Sequence, residues 1–86
     1  AAIDPDCYRF TQGSATIVTA FGPAPCQAAG IAIQGGATEV RLDPGHATVT
    51  AHGAPGPRSI ALPSGEHYQM DYTGPAPKTV TLPTSR

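Results

Sequence analysis

His67-Tyr68-Gln69-Met70-Asp71-Tyr72 alternates polar and apolar side chains at every step. A period of two places the three apolar residues on one face of a β-strand and the three polar residues on the other. Ala47-Thr48-Val49-Thr50-Ala51 shows the same period and contains β-branched residues, which favour extended backbone. Both segments therefore predict strands with one buried face and one exposed face.

The segment in front of the first of these strands recurs twenty residues later. Residues 55–64, PGPRSIALPS, align with residues 75–84, PAPKTVTLPT. Two short strands and their turns occupy about twenty residues, so one β-hairpin per repeat is the expected unit. Two pairs of residues are therefore predicted at equivalent inward positions: Ile60 with Val80, and Leu62 with Leu82.

Turn-forming residues separate the predicted strands. Asp43-Pro44-Gly45, Pro63-Ser64-Gly65 and Gly35-Gly36 combine fixed and permissive φ angles. With ten Gly and ten Pro in 86 residues, long helices are not expected. The sequence predicts an all-β fold: one domain over residues 1–86, a small antiparallel β-sandwich, Ig-like or barrel-like, of about 7–8 short strands. The predicted strands are roughly 7–12, 15–21, 30–34, 38–42, 47–52, 58–62, 66–72 and 78–82.

Composition excludes several classes of function. The formal net charge is −1 and 13% of residues are charged, so the chain lacks the basic surface that nucleic acids or anionic membranes require. No apolar run approaches the ~18 residues of a membrane-spanning helix. Leu, Ile, Val and Phe account for 14 of the 86 residues, too few to line a cofactor pocket as well as a core. We expect no nucleic-acid partner, no membrane insertion and no cofactor.

The residues that commonly carry catalysis do not form a recognisable pattern. His46, His52 and His67 have no partner at a metal-ligand spacing, and no serine lies in a Gly-X-Ser-X-Gly elbow. Met70 lies three residues after His67, and the two could be considered as ligands of a copper ion. Residues three apart on a strand point to opposite faces, so these two side chains cannot bind one ion together. We therefore expect a protein that is not an enzyme and has no metal site.

Cys7 and Cys26 are the only cysteines. A chain of this size buries a limited share of its surface, and closing this loop would contribute about 3 kcal/mol in the chain-entropy model. Two reduced thiols in a cytosolic protein are the alternative. We expect a Cys7–Cys26 disulfide in a secreted protein, extracellular or in the cell envelope. An N-terminus that starts Ala1-Ala2 fits signal-peptide cleavage, as well as a trimmed chain, and the Ala-rich, Asn-free composition is typical of a high-GC bacterial genome.

Tyr8-Arg9-Phe10-Thr11-Gln12 resembles the aromatic, Arg, aromatic, hydroxyl, Gln segment of the microbial α-amylase inhibitors of the tendamistat type. The stretch 42–49, LDPGHATV, similarly resembles that family's Ala-Pro-Gly turn and Thr-Val strand. Tyr8 stands where the family has Trp, and the family's second disulfide has no counterpart here. The resemblance implies that Tyr8, Arg9 and Phe10 enter an amylase active site. Strand periodicity alone predicts an ordinary first strand instead, with Tyr8 and Phe10 inward and Arg9 outward.

Three stiff Pro-X-Pro loops are predicted at 22–25, 53–57 and 74–77. Arg58 and Lys78 follow two of these loops at repeat-equivalent positions, which predicts a mildly basic rim at one end of the molecule. If their strands share a sheet, the two residues stand roughly 10 Å apart. Prolines that merely end strands and protect edges are the alternative.

The functional hypothesis is a secreted, non-enzymatic module that binds a protein or carbohydrate partner through its Pro-rich loops. Rigid exposed loops lose little entropy on binding, which favours such a role. A tendamistat-like inhibitor of a secreted glycosidase is one alternative, and a structural module of the cell envelope is another.

Overall fold

The computed structural model describes residues 2–4, 7–22 and 25–83. Within these residues the chain forms ten β-strands and no helix. The strands are β1 (Ala2–Asp4), β2 (Cys7–Gln12), β3 (Ala15–Ala20), β4 (Cys26–Ala28), β5 (Ile31–Gln34), β6 (Thr38–Asp43), β7 (His46–Ala51), β8 (Gly56–Ala61), β9 (His67–Tyr72) and β10 (Lys78–Pro83). Two antiparallel sheets pack against each other, which confirms the predicted small β-sandwich.

The larger sheet has the strand order β1-β2-β3-β6-β7-β10, and the smaller sheet has the order β4-β5-β8-β9. Consecutive hairpins alternate between the sheets, because β2–β3 and β6–β7 belong to the larger and β4–β5 and β8–β9 to the smaller. The tight hairpin turns therefore collect at one end of the sandwich. The connections that change sheets, after β3, β5, β7 and β9, collect at the opposite end, which is termed the loop end.

The predicted turns are confirmed by their backbone geometry. Pro44 and Gly45 connect β6 to β7, and the φ of +88° at Gly45 suits the third position of a Pro-Gly type II turn. Gly65 follows β8 with a φ of +94°, and its amide donates to the Leu62 carbonyl at 2.9 Å. All three Pro-rich loops start at the loop end, although Pro23 and Ala24 lie outside the described residues.

The core lies between the sheets and follows the period of two. Ala47, Val49 and Ala51 on β7 are fully buried, as are Ile31 and Ile33 on β5. On β9, the inward face consists of the three apolar residues predicted from sequence, Tyr68, Met70 and Tyr72. Small and β-branched side chains dominate this core, which agrees with the scarcity of large apolar residues in the chain.

The twenty-residue repeat does not form equivalent strands in one sheet. β8 is an inner strand of the smaller sheet, whereas β10 is an edge strand of the larger sheet and pairs with β7. Ile60 and Val80 both face the core, but Ile60 is fully buried and Val80 is half-buried. The two strands lie in different sheets because β10 pairs with β7 and not with the hairpin whose sequence it resembles.

The predicted disulfide is confirmed. Cys7 on β2 and Cys26 on β4 are bonded, with their Cα atoms 5.3 Å apart and both side chains buried. Because β2 belongs to the larger sheet and β4 to the smaller, the bond joins the two sheets covalently at the loop end.

Candidate functional site

Arg58 is buried at the loop end, with 1% of its surface exposed. Its side chain points between the sheets because Arg58 and Ile60 share the inward face of β8. The guanidinium lies 5.3 Å from the centre of the Tyr72 ring. Five backbone carbonyls accept its hydrogen bonds at 2.7–3.3 Å: Nε donates to Ala37, Nη1 to Gly35 and Gly56, and Nη2 to His52 and Ala54.

The prediction of a basic rim formed by Arg58 and Lys78 is wrong. Both strands begin at the loop end, but they belong to different sheets, and of the two residues Lys78 alone is exposed. Arg58 uses its donors on the connections after β5 and β7, so it holds these loops together. Its role in this geometry is to position the loop end, and its charge is not presented to a partner.

Gly36 makes room for this guanidinium, and Gly35 makes room for the backbone of β8 that precedes it. Gly36 has a φ of +149°, and a Cβ atom at this position would lie 2.6 Å from Cζ of Arg58. At Gly35, with a φ of +109°, a Cβ atom would collide with the carbonyl oxygen of Pro57. The predicted Gly35-Gly36 turn therefore packs closely against Pro57 and Arg58 of β8.

Among the residues whose burial is described, the exposed large apolar side chains are Tyr8, Phe10 and Phe21, at 38%, 40% and 57%. Tyr8 and Phe10 are neighbours on one face of β2, with ring centroids 5.7 Å apart and an interplanar angle of 54°. This is the outer face of the larger sheet, because the preceding Cys7 faces the smaller sheet and side chains alternate along a strand. Phe21 follows β3 at the loop end, where it lines a cavity with Ala54 and Pro55.

The orientation of β2, the first strand predicted from sequence, is therefore the reverse of the predicted one. Tyr8 and Phe10 point outward, and Arg9 lies on the same face of β2 as Cys7. Arg9 is nevertheless exposed. The smaller sheet covers this face of β2 only near Cys7, where the three-residue β4 lies against it. All three members of the Tyr8-Arg9-Phe10 segment are consequently accessible from solvent.

Hydrogen-bonded polar side chains continue the outer face from Phe10 towards the hairpin turns. Nη1 of Arg41 donates to Oε1 of Gln12 at 2.9 Å, and Nε of Arg41 donates to Oδ2 of Asp43 at 3.1 Å. Nε2 of His46 lies 3.4 Å from the same carboxylate oxygen. Tyr8, Phe10, Gln12, Arg41, Asp43 and His46 are together termed the outer-face cluster.

The outer-face cluster covers apolar residues that face away from the core. Gln12 is on β2 and Arg41 on β6, so their hydrogen bond crosses the intervening strand β3. Ala15 and Ile17 lie on the outer face of β3 and are nevertheless buried. The cluster therefore packs on a small apolar layer of its own, outside the core between the sheets.

The cavities of the described structure are shallow. One of about 360 Å³ lies between the hairpin turns and is lined by Ser14, Leu42, Pro44 and Leu62, among others. Another of about 260 Å³ lies at the loop end beside Phe21 and Pro55. Within the described residues no three His, Cys, Asp or Glu side chains converge on a point where a metal ion would bind. The same residues form no helix long and apolar enough to cross a membrane.

Comparisons with known proteins give no relative for this arrangement. No protein-family model matches the chain, and neither a curated protein nor a solved structure matches it significantly. The resemblance to the α-amylase inhibitors thus rests on the residues quoted above and stays a prediction.

Proposed function

We propose that the chain is a secreted, non-enzymatic binding module that engages a protein or glycan partner through the outer face of its larger sheet. The observation that carries this proposal is the exposed Tyr8–Phe10 pair. The chain has five aromatic residues, and two of them stand side by side in solvent. Apolar groups exposed together on a polar surface mark interaction sites, and aromatic residues are enriched there.

The scaffold supports this role. The pair lies on a regular strand whose neighbour β3 fixes it by continuous pairing, so the rings are held on a rigid platform. Binding to a preorganised surface costs less conformational entropy than binding to a mobile one. The Cys7–Cys26 disulfide supports secretion, since disulfides persist in oxidising compartments.

The proposal is tested by partner capture from the culture medium of the source organism. The double variant Tyr8→Ala/Phe10→Ala is expected to lose the protein or glycan that the unmodified domain retains. Phe21→Ala is the matched control, because it removes an exposed aromatic ring at the loop end. If Phe21→Ala abolishes capture and the double variant does not, the binding surface lies at the loop end, as the Pro-rich loop hypothesis held.

Inhibition of a secreted glycosidase is a second proposal, favoured by the exposure of the whole Tyr8-Arg9-Phe10 segment. A segment that enters an enzyme cleft must present several adjacent side chains, and here the chain does so. An α-amylase assay with the unmodified domain and with Arg9→Ala tests it. Inhibition that Arg9→Ala removes would support the proposal, and absence of inhibition at micromolar concentrations of the domain would contradict it.

A further inference from the structure

We infer that the outer-face cluster is a binding site for a neutral polysaccharide built of pyranose units. This inference rests on the proposed function, because the Tyr8–Phe10 pair belongs to both. The ligand class is specified beyond that function, and Gln12, Arg41 and Asp43 supply its polar contacts.

The aromatic half of the cluster suits the apolar face of a sugar. A pyranose ring presents axial C–H groups on its faces and hydroxyl groups around its rim. Aromatic side chains offer a large, rigid apolar surface that packs against such C–H groups, and Tyr adds a hydroxyl at its edge. The Tyr8 and Phe10 centroids are 5.7 Å apart and the ring planes are inclined by 54°, so the two rings are adjacent and a pyranose can pack against the face of either.

The polar half of the cluster suits the hydroxyl rim. Sugar hydroxyls both donate and accept hydrogen bonds, so they are recognised by groups of both kinds in fixed positions. Gln12 supplies an amide, Arg41 a guanidinium and Asp43 a carboxylate, and the hydrogen bonds between them hold these planar groups in place. Because 41% of the Arg41 side chain is exposed, a ligand can reach this network.

Strand register places the two halves at a spacing that one oligosaccharide can bridge. Gln12 follows Phe10 by two residues on the same face, a rise of roughly 7 Å along β2. Arg41 lies in the row of Phe10, with Ile17 between them, so its backbone is two strand spacings or roughly 10 Å away. A chain of two or three pyranose units spans such distances, with one ring on the aromatic pair and its neighbours on the polar groups.

The charge of the cluster favours an uncharged ligand. Arg41 is the cation of the cluster, and its ion pair with Asp43 balances it locally. The whole chain has a formal net charge of −1, so no positive field attracts an anionic polysaccharide. Specificity must therefore come from stacking and hydrogen bonding.

The test measures retention of the purified domain by defined polysaccharides. Neutral probes are microcrystalline cellulose and chitin in depletion assays, and soluble starch and β-1,3-glucan in affinity electrophoresis, with alginate as the anionic probe. The domain is expected to bind at least one neutral probe. Phe10→Ala and Gln12→Ala should each weaken that binding about tenfold, the effect of truncating a contact at the centre of an interface.

Phe21→Ala is the control for a general loss of exposed apolar surface and should leave polysaccharide binding unchanged. Thermal unfolding of each variant shows that it is folded, and Gln12→Glu provides a second variant that keeps the size of the side chain while removing the amide donors. Binding to alginate alone, no binding to any neutral probe, or equal binding by Phe10→Ala and the unmodified domain would each overturn the inference.

The two proposals fail in different ways. If no neutral polysaccharide is retained but Tyr8→Ala/Phe10→Ala still abolishes capture of a protein, the ligand class is wrong and the proposed function stands. If the double variant changes neither measurement, both proposals are wrong.

Discussion

Arg58 shows how a buried cation is accommodated with no carboxylate of the described residues paired to it. Removing a charged group from water is costly unless its donors are satisfied, and a guanidinium has five N–H groups. Each of these donates to a backbone carbonyl, so the carbonyl dipoles take the place of water. From sequence, an Arg at the start of a strand after a Pro-rich loop is expected to be exposed. Arg58 is buried because it lies two residues before Ile60 on β8, and alternate residues of a strand face the same side.

Arg58→Met should destabilise the protein by about 3–5 kcal/mol, as removal of one partner from a buried polar network does. Met keeps an unbranched apolar stem but leaves the five carbonyls without their donors. The free energy of unfolding is measured by urea titration. Lys78→Met is the control, because it removes an exposed cation at the same end of the sandwich and should change stability by less than about 0.5 kcal/mol. Equal midpoints for the two variants would contradict the structural role of Arg58.

Gly36→Ala should cost more stability than Gly45→Ala. Both glycines have positive φ, so both substitutions introduce backbone strain of about 1 kcal/mol. At Gly45 a Cβ atom meets nothing within 4 Å, whereas at Gly36 it lies 2.6 Å from Cζ of Arg58. The difference between the two urea midpoints therefore reports the displacement of the guanidinium. Identical losses would show that Arg58 moves aside freely.

At the scale of the strands, local pattern predicted most of the fold. Eight predicted strands correspond to β2, β3 and β5 to β10 with ends shifted by at most two residues, because alternation and turn residues are both local signals. β1 and β4 have three residues each, too few to show a period of two. Their existence depends on pairing with β2 and β5, which no local pattern reveals.

The candidate site was predicted in part, and the direction of its aromatic side chains was predicted wrongly. Tyr8 and Phe10 were identified, but their direction was inferred from their hydrophobicity. The predicted disulfide implies their correct direction. Cys7 must face the other sheet to form this bond, so residues 8 and 10 of the same strand point outward. Arg41, Asp43 and His46 were missed, since the partners across β3 and β6 follow from strand register, which the sequence does not show.

The two copies of the repeat should respond unequally to truncation. Leu62 is buried between the sheets, and Leu62→Ala should cost ~2–5 kcal/mol. Leu82 lies on the edge strand β10 and is half-buried, so Leu82→Ala should cost roughly half as much, in proportion to the apolar area it removes from water. Urea titration of both variants gives the comparison, and equal losses would contradict the edge position of β10.

At the scale of the whole molecule, the two ends of the sandwich are held differently. Tight turns such as Pro44-Gly45 close the hairpin end with a few residues each. The loop end instead contains four connections that change sheets, and two interactions stabilise it. Arg58 ties together the loops after β5 and β7, and the Cys7–Cys26 disulfide ties β2 to β4. A thin core of small side chains makes both interactions important for stability.

Reduction of the disulfide should lower the free energy of unfolding by about 3 kcal/mol, because the bond closes a loop with a sequence separation of 19 and restricts the unfolded chain. Urea titrations with and without a reductant measure the change. The Cys7→Ala/Cys26→Ala variant is the control: it should start from the lower stability and be insensitive to reductant. The bond also joins the two sheets. If the core by itself couples the sheets, the reduced protein should still unfold in one transition. Separate transitions for the two sheets after reduction would show that the disulfide, and not the core, makes the sandwich one cooperative unit.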